Sequence, residues 1–154
     1  MTPSEFRKSC ALWCTGVSIV TSTGADDRDC GLTLNSVTSV SVDPPLMLIC
    51  LDNVSRTLEA VKAKGAFCIN ILASNQKELS ERFAQFNVDK FDGLRSTRGL
   101  LDVPILAGCL VAFECKVDAI YPGGDHQIIV GHLKNIIEGK GAAKPLMFIN
   151  GEYE

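Results

Sequence analysis

The sequence is short of the groups on which much enzyme chemistry depends. Its 154 residues contain two histidines, His126 and His132. On one strand their spacing corresponds to about 20 Å, too far to share an ion. Cys10 and Cys14 stand one helical turn apart with no second pair beside them, so no metal site is expected. There is no G-x-S-x-G elbow, which leaves a hydrolase poorly supported, although sequence spacing does not test whether His126 serves a nucleophile. There is also no G-x-G-x-x-G and no P-loop, so a bound nucleotide is not held by a Rossmann or Walker loop.

Clustered positive charge is missing too. Lys and Arg number 15 against 18 Asp and Glu, for a net charge of −3, which argues against nucleic acid as a partner. The longest apolar runs, such as Leu46 to Leu51, are too short to span a bilayer, and MTPSEFRK lacks the apolar core of a signal peptide. No membrane partner and a cytoplasmic location are therefore expected. The seven cysteines include no C-x-x-C, and Cys50, Cys68, Cys109 and Cys115 fall in apolar surroundings, which reads as reduced, buried thiols.

What is present fits one domain over residues 1–154, with 46% hydrophobic and 21% charged residues and no low-complexity segment. Thr2, Pro3 and Glu5 form a helix start with a capping box, and this helix is expected to run to about Gly16. Phe6, Cys10, Trp13 and Cys14 share one of its faces, for packing on a core or a second subunit. Residues 17–23 and CGLTL read as a hairpin around the turn chemistry of GADDRD. Pro44 and Pro45 forbid a helix, and the unbroken apolar PLMLICLD (45–52) reads as a central strand buried on both faces. Ser55 caps a short helix that Gly65 stops, and 66–72 is a strand. Asn75 and Glu78 suggest a second capping box, for a helix carrying Leu79, Phe83 and Phe86. Residues 87–108 read as an irregular excursion, of a length that is often functional or covers something. In 109–121 the alternation puts Cys109, Val111, Phe113, Cys115, Val117, Ala119 and Tyr121 on one face and Glu114, Lys116 and Asp118 on the other. With PGG as the turn, this strand pairs with DHQIIVGHLKNII as a long hairpin. Many strands, few helices and hairpin connections imply a mainly β chain, an antiparallel barrel with peripheral helices.

Two segments stand out chemically. GLTLNSVTSVSVDPPL (31–46) places Thr33, Ser36, Thr38, Ser39 and Ser41 within nine residues beside a strongly apolar strand. They could be the outward face of an edge strand, but they do not strictly alternate. In NVSRTLEAVK, Ser55 and Thr57 sit at a helix start whose free N–H groups and dipole favour an anion, with Arg56 and Lys62 nearby. A phosphate fits there; equally, Ser55 does no more than cap its helix.

The blocks GLTLNSVTSVSVDPPLMLICLDNVSRTLEAV, INILASNQKELSERFA, GDHQIIVGHL and PLMFINGEY, in order over nearly the whole chain, resemble the short-chain flavin reductases, the reductase components of two-component flavin monooxygenases. The resemblance implies a Greek-key split β-barrel of the FMN-binding type, a homodimer, FMN or FAD in a groove, and NADH or NADPH stacking on the flavin. The product would be reduced flavin for a partner monooxygenase. It also assigns positions. Thr33, Leu34, Asn35 and Ser36, with Ser39, Val40 and Ser41, are similar to the family's flavin-contacting strand and loop. Ser55 and Thr57, flanked by Arg56 and Lys62, resemble the phosphate site, and Cys50, Leu51 and Asp52 line the route between. His126 resembles the histidine that positions the nicotinamide, and Arg82 and Phe83 are implied to reach the flavin tail or the dimer partner. A rival within the same resemblance is an electron-transfer module that retains its flavin without using NAD(P)H; another is a dimeric domain that has lost its site.

Overall fold

The structure, a computed structural model describing residues 1–140 and 143–154, begins with α1 (Pro3–Ala11), β1 (Thr15–Gly16), β2 (Ser18–Thr23) and β3 (Asp29–Leu34). Then come β4 (Val37–Val42), β5 (Pro45–Asp52), α2 (Arg56–Lys64), β6 (Ala66–Ile71) and α3 (Lys77–Ala84). The short β7 (Ser96–Arg98) and β8 (Pro104–Leu106) precede the long β9 (Val111–Gly123) and β10 (His126–Glu138), and β11 (Met147–Ile149) and β12 (Glu152–Tyr153) close the chain.

Seven strands form one sheet in the order β3-β2-β6-β9-β10-β5-β4, with every neighbouring pair antiparallel. Laid flat, its two edge strands would stand about 29 Å apart at ordinary inter-strand spacing. Yet β3 ends at Leu34 and β4 starts at Val37, and so short a connection reaches about 11 Å at most. The sheet therefore has to curl until its edges approach, giving a barrel left open between β3 and β4, which are not paired with each other. The strand pattern implies an antiparallel barrel, and the family resemblance implies that it is split in this way. The inside of the barrel is filled by Val20, Leu34, Ile49, Leu51, Phe67, Ile69, Cys115 and Ile129, together with Leu58 and Val61 of α2, so one face of α2 is part of the core. At Gly131 on β10 an added Cβ would lie 2.5 Å from the ring of Phe67 and 2.8 Å from Cys115 Cβ, which is why no side chain stands there.

The excursion at 87–108 turns out to be a cover. Its β7–β8 hairpin lays Val103 and Ile105 on Ala66, Cys68 and Ala112, on the outer face of β6 and β9. Glu114 faces away from Phe113 and Cys115 as expected, and the cover leaves it fully buried there. Its carboxylate accepts from the backbone N–H groups of Leu100 and Leu101, both at 2.9 Å, and from Asn135 Nδ2 at 2.7 Å, so burial leaves it satisfied.

Other expectations need amendment. The capping box at Thr2 and Glu5 is present, but α1 stops at Ala11, and none of its residues is buried. Phe6, Cys10, Trp13 and Cys14 are all exposed, Trp13 at 77%, so this face is not buried against the described residues. β5 is not buried on both faces: Ile49 and Leu51 point into the barrel, whereas Leu46, Leu48 and Cys50 are only half-buried. The capping box expected at Asn75 and Glu78 is replaced by Gln76, whose Oε1 accepts from Ala73 N in a 3₁₀ turn ahead of α3. Phe86 lies past the end of α3 and is exposed. Of the cysteines, Cys68, Cys109 and Cys115 are buried, Cys30 and Cys50 are half-buried, and Cys10 and Cys14 are exposed. Burial pushes the Cys109 and Cys115 thiols up to about 11 and about 12, so both are inert hydrophobes.

Candidate functional site

The open seam of the barrel is where the hydroxyl-rich run lies. β4 is the last strand of the sheet, so its edge away from β5 carries unpaired backbone N–H and C=O groups. Its side chains are short, and the burial pattern from Val37 to Val42 is half-buried or exposed throughout. The register with β5 slips between Ser39 and Ser41, which leaves Val40 unpaired and bends the strand. Ser36, in the connection from β3, donates from its hydroxyl to Cys50 O at 3.0 Å and accepts from Cys50 N at 3.4 Å, tying the seam to β5. Thr33 is turned to α3 instead, donating to Ser80 O at 2.6 Å. Leu34 and Leu51 are buried core residues, so only their backbone can meet a solute, whereas Asn35 and Asp52 are exposed. Burial raises the Cys50 thiol above its usual range, so it lines the seam as a neutral group.

β5 runs from the seam directly into α2. Asp52 makes the turn: its Oδ1 accepts from Val54 N at 3.0 Å and its carbonyl from Ser55 N at 3.0 Å. Ser55 then caps α2, its hydroxyl accepting from Thr57 N at 3.1 Å, and Gly65 ends the helix at φ +67°. Arg56 is exposed at the helix start and Thr57 is only 3% exposed. Lys62 is not part of this group. It sits in the last turn, about 9 Å along the axis from Arg56 at 1.5 Å per residue, and pairs with Glu59 at 3.1 Å.

His126 opens β10 directly opposite Asp52 of β5, so the β9–β10 turn stands beside the start of α2. Its Nδ1 lies 2.7 Å from Asp125 Oδ1, and the imidazole holds the Asp125 carboxyl below the usual carboxylate range. Among the described residues Nε2 has no hydrogen-bond partner, and the side chain is 43% exposed. Asn53, which the sequence reading passed over, binds this turn three times: Asn53 N donates to Asp125 O at 3.0 Å, Asn53 Nδ2 to Gly124 O at 3.1 Å, and Gln127 Nε2 to Asn53 Oδ1 at 2.6 Å. Nothing local in the sequence signals a contact spanning more than seventy residues; only the pairing of β5 with β10 creates it.

The expectation for Arg82 and Phe83 is corrected in part. Phe83 is 0% exposed, packed among Val17, Ile19, Leu72 and Leu106 and edge-on to Phe91 at 5.2 Å, so its ring cannot touch a flavin or a partner. Arg82 spends its guanidinium on the carbonyls of Asp89 and Asp92. Beside them Lys90, its ammonium disfavoured by burial, joins the end of α3 to β3 by donating to Phe83 O at 2.8 Å and Gly31 O at 3.1 Å. Two clefts lie elsewhere, about 340 Å³ between α3 and residues 93–95 and about 180 Å³ beside β8. None of the expected flavin-contacting residues lines either.

Comparison with known proteins joins these features to a family. Residues 11–154 match the family model described as flavin reductase like domain. The reductase subunit HsaB of a flavin-dependent monooxygenase from Mycobacterium tuberculosis is 36% identical over 152 residues, covering 98% of this chain and 81% of the relative. The NADH-dependent FMN reductase AsuE2 of Streptomyces nodosus subsp. asukaensis is 33% identical over 154 residues, covering 97% of this chain and 83% of that one. Among solved structures, a nitrilotriacetate monooxygenase component B homologue from Mycobacterium thermoresistibile superposes with a TM-score of 0.93 at 36% identity, over 98% of this chain and 84% of its own. The Streptomyces globisporus NADH:FAD oxidoreductase SgcE6, in complex with NAD and FAD fragments, superposes with a TM-score of 0.91 at 31% identity, over 98% of this chain and 90% of its own. Sequence and curled sheet agree along almost the whole length, and the chain belongs to the flavin reductase-like family.

Proposed function

We propose that the protein is an NAD(P)H-dependent flavin reductase that takes FMN or FAD and supplies reduced flavin to a partner monooxygenase. The observation that carries this reading is the surroundings of β5: the edge strand β4, with its short hydroxyl residues, pairs along one side of it, and at its end Asp52 leads into the capped start of α2 and faces the half-exposed His126. The donor set fits a flavin. Free backbone groups and small side chains of β4 suit a flat ring rimmed with heteroatoms, because a bulkier edge would hold the ring away from the backbone. Ser36, Ser39 and Ser41 would hold the ring and ribityl chain, and Ser55, Arg56 and Thr57 the phosphate, at the positive end of α2. When bound, the flavin supplies the redox chemistry by accepting hydride from the nicotinamide; the chain's own residues bind, orient and shield. His126 serves by placing the nicotinamide, not by moving a proton.

NADH oxidation in the presence of free FMN or FAD tests this. The rate is expected to rise to saturation with added flavin, as it does when flavin is a substrate that comes and goes. Stoichiometric flavin retained through gel filtration with no NADH oxidation would mark an electron-transfer module and overturn the proposal.

We also propose a homodimer. α1 buries none of its residues, and Phe6, Leu12, Trp13, Val42 and Val54 are exposed apolar side chains of the kind that a second subunit would cover. Sedimentation should give twice the chain mass, and Trp13→Glu should shift the protein toward monomer. A wild-type chain that sediments as a monomer at micromolar concentration would remove this element.

A further inference from the structure

We infer that Asn53 is a positioning residue for the nicotinamide step, acting through His126; the inference rests on the reading of His126 given above. The β9–β10 turn is a free hairpin tip, with Gly124 at φ +74° and Asp125 largely in solvent, and such tips are mobile unless tied down. Asn53 ties it from the other side of the β5–β10 pair. Its backbone N–H takes the Asp125 carbonyl, its amide nitrogen takes the Gly124 carbonyl, and its amide oxygen takes Gln127 Nε2. These three bonds bracket His126 on both sides, at 124–125 and at 127. One side chain offering a donor and an acceptor at opposite ends is required, and an asparagine amide provides both on a short stem.

The clamp connects two parts of the site. Asn53 belongs to the four-residue turn from Asp52 to Ser55 that leads into α2, two residues before the helix cap. Fixing the histidine tip to that turn sets the spacing between His126 and the start of α2. The charged groups facing the tip are Asp125 on the turn itself, Asp52 opposite in register, and Arg7 of α1, which acts on Asp125 through its charge. Asp125 accepts from Nδ1 and so presents Nε2 outward, while Asn53 sets where that nitrogen stands.

A double-mutant cycle between Asn53 and His126, with NADH as the probe, tests the idea. Asn53→Ala should raise the KM for NADH by about tenfold, with flavin affinity by fluorescence quenching held within about twofold. Asn53→Asp keeps the acceptor for Gln127 and should fall between wild type and Asn53→Ala. Gln127→Ala removes one of the three bonds from the other side and should give part of the same loss. The decisive comparison is Asn53→Ala with His126→Ala: if Asn53 acts through the histidine, the double variant is no worse than His126→Ala alone. Losses that multiply, or an equal loss in flavin affinity, would overturn the clamp. A large effect of His126→Ala beside an unchanged Asn53→Ala would overturn the clamp and leave the histidine reading standing. An unchanged KM in His126→Ala would bring down both.

Discussion

Removing both hydroxyls at the start of α2, with Ser55→Ala and Thr57→Val together, is expected to weaken FMN about a hundredfold and riboflavin less than about threefold, since a hydrogen bond to a charged group contributes roughly 1.5–3 kcal/mol. Riboflavin has the ring and the ribityl chain but no phosphate, so the ratio of the two losses isolates the phosphate end. Thr57 is changed to valine because its side chain is almost completely buried, and alanine would add a cavity to the loss of the hydroxyl. The difficulty is Ser55, which already caps α2 by accepting from Thr57 N, so its removal also costs about 1 kcal/mol of helix stability. Ser55→Asp separates the two roles. Aspartate caps a helix as well as serine does, but its carboxylate would repel a phosphate at the same place. Expected, therefore, are an unchanged melting temperature and a large loss of FMN affinity in Ser55→Asp. Equal weakening of FMN and riboflavin in the double variant would show that Ser55 only caps its helix.

Local chemistry was legible in the sequence wherever one segment decides its own conformation. The capping box of Thr2 and Glu5, the Ser55 cap, the Gly65 stop and both hairpins rest on neighbours a few residues apart, and each is found where the pattern put it. Two local expectations missed their bounds, the end of α1 and the capping box at Asn75 and Glu78, and the other failures are long-range. Glu114 alternates with Phe113 and Cys115 like a solvated residue, and only the arrival of Leu100 and Leu101 from another hairpin makes that face an interior one. Arg82 and Phe83 are adjacent in one motif, yet successive helical positions point about 100° apart, so one ring fills the core while the guanidinium binds the following loop. Lys62 looked close to Ser55 by residue count, but a helix carries it two turns away. Asn53 carried no local signal, because its partners come from the far side of a sheet whose order the sequence does not spell out.

The hydroxyl run shows the same division from the other direction. Its composition alone marked it as unlike core, while the role proposed for it depends on β3 and β4 being at opposite ends of one curled sheet. An edge strand is ordinarily a hazard, since its free backbone invites pairing with another chain. Here the bulge at Ser39 to Ser41 and the short side chains blunt it against strand addition, and the proposed flavin would use the same free edge. A substitution that lengthened the exposed side chains of Thr38, Ser39 or Val40 would therefore act on this edge and leave Val37, which packs on the core, in place.

His126→Ala is expected to raise the KM for NADH by at least about tenfold, while the dissociation constant for flavin changes by less than about twofold and the maximal rate falls modestly. The split follows from where the residue stands. His126 opens β10 at the rim, opposite Asp52, with its ring partly in solvent and its Nδ1 engaged by Asp125, so it offers one nitrogen to whatever docks over the seam and contributes nothing to the core. Flavin contacts proposed for β4 and α2 lie on other elements and do not depend on it. Because hydride transfer rewards near-contact alignment of two rings, loss of one positioning group is felt first in how well the nicotinamide is held. Asp125→Asn provides the complementary test: the amide can still meet Nδ1, but the carboxylate's preference for an Nδ1–H partner is gone, so both ring tautomers become available. Its KM should lie between wild type and His126→Ala. A fall in flavin affinity matching the loss for NADH would move His126 from the nicotinamide side of the site to the flavin side.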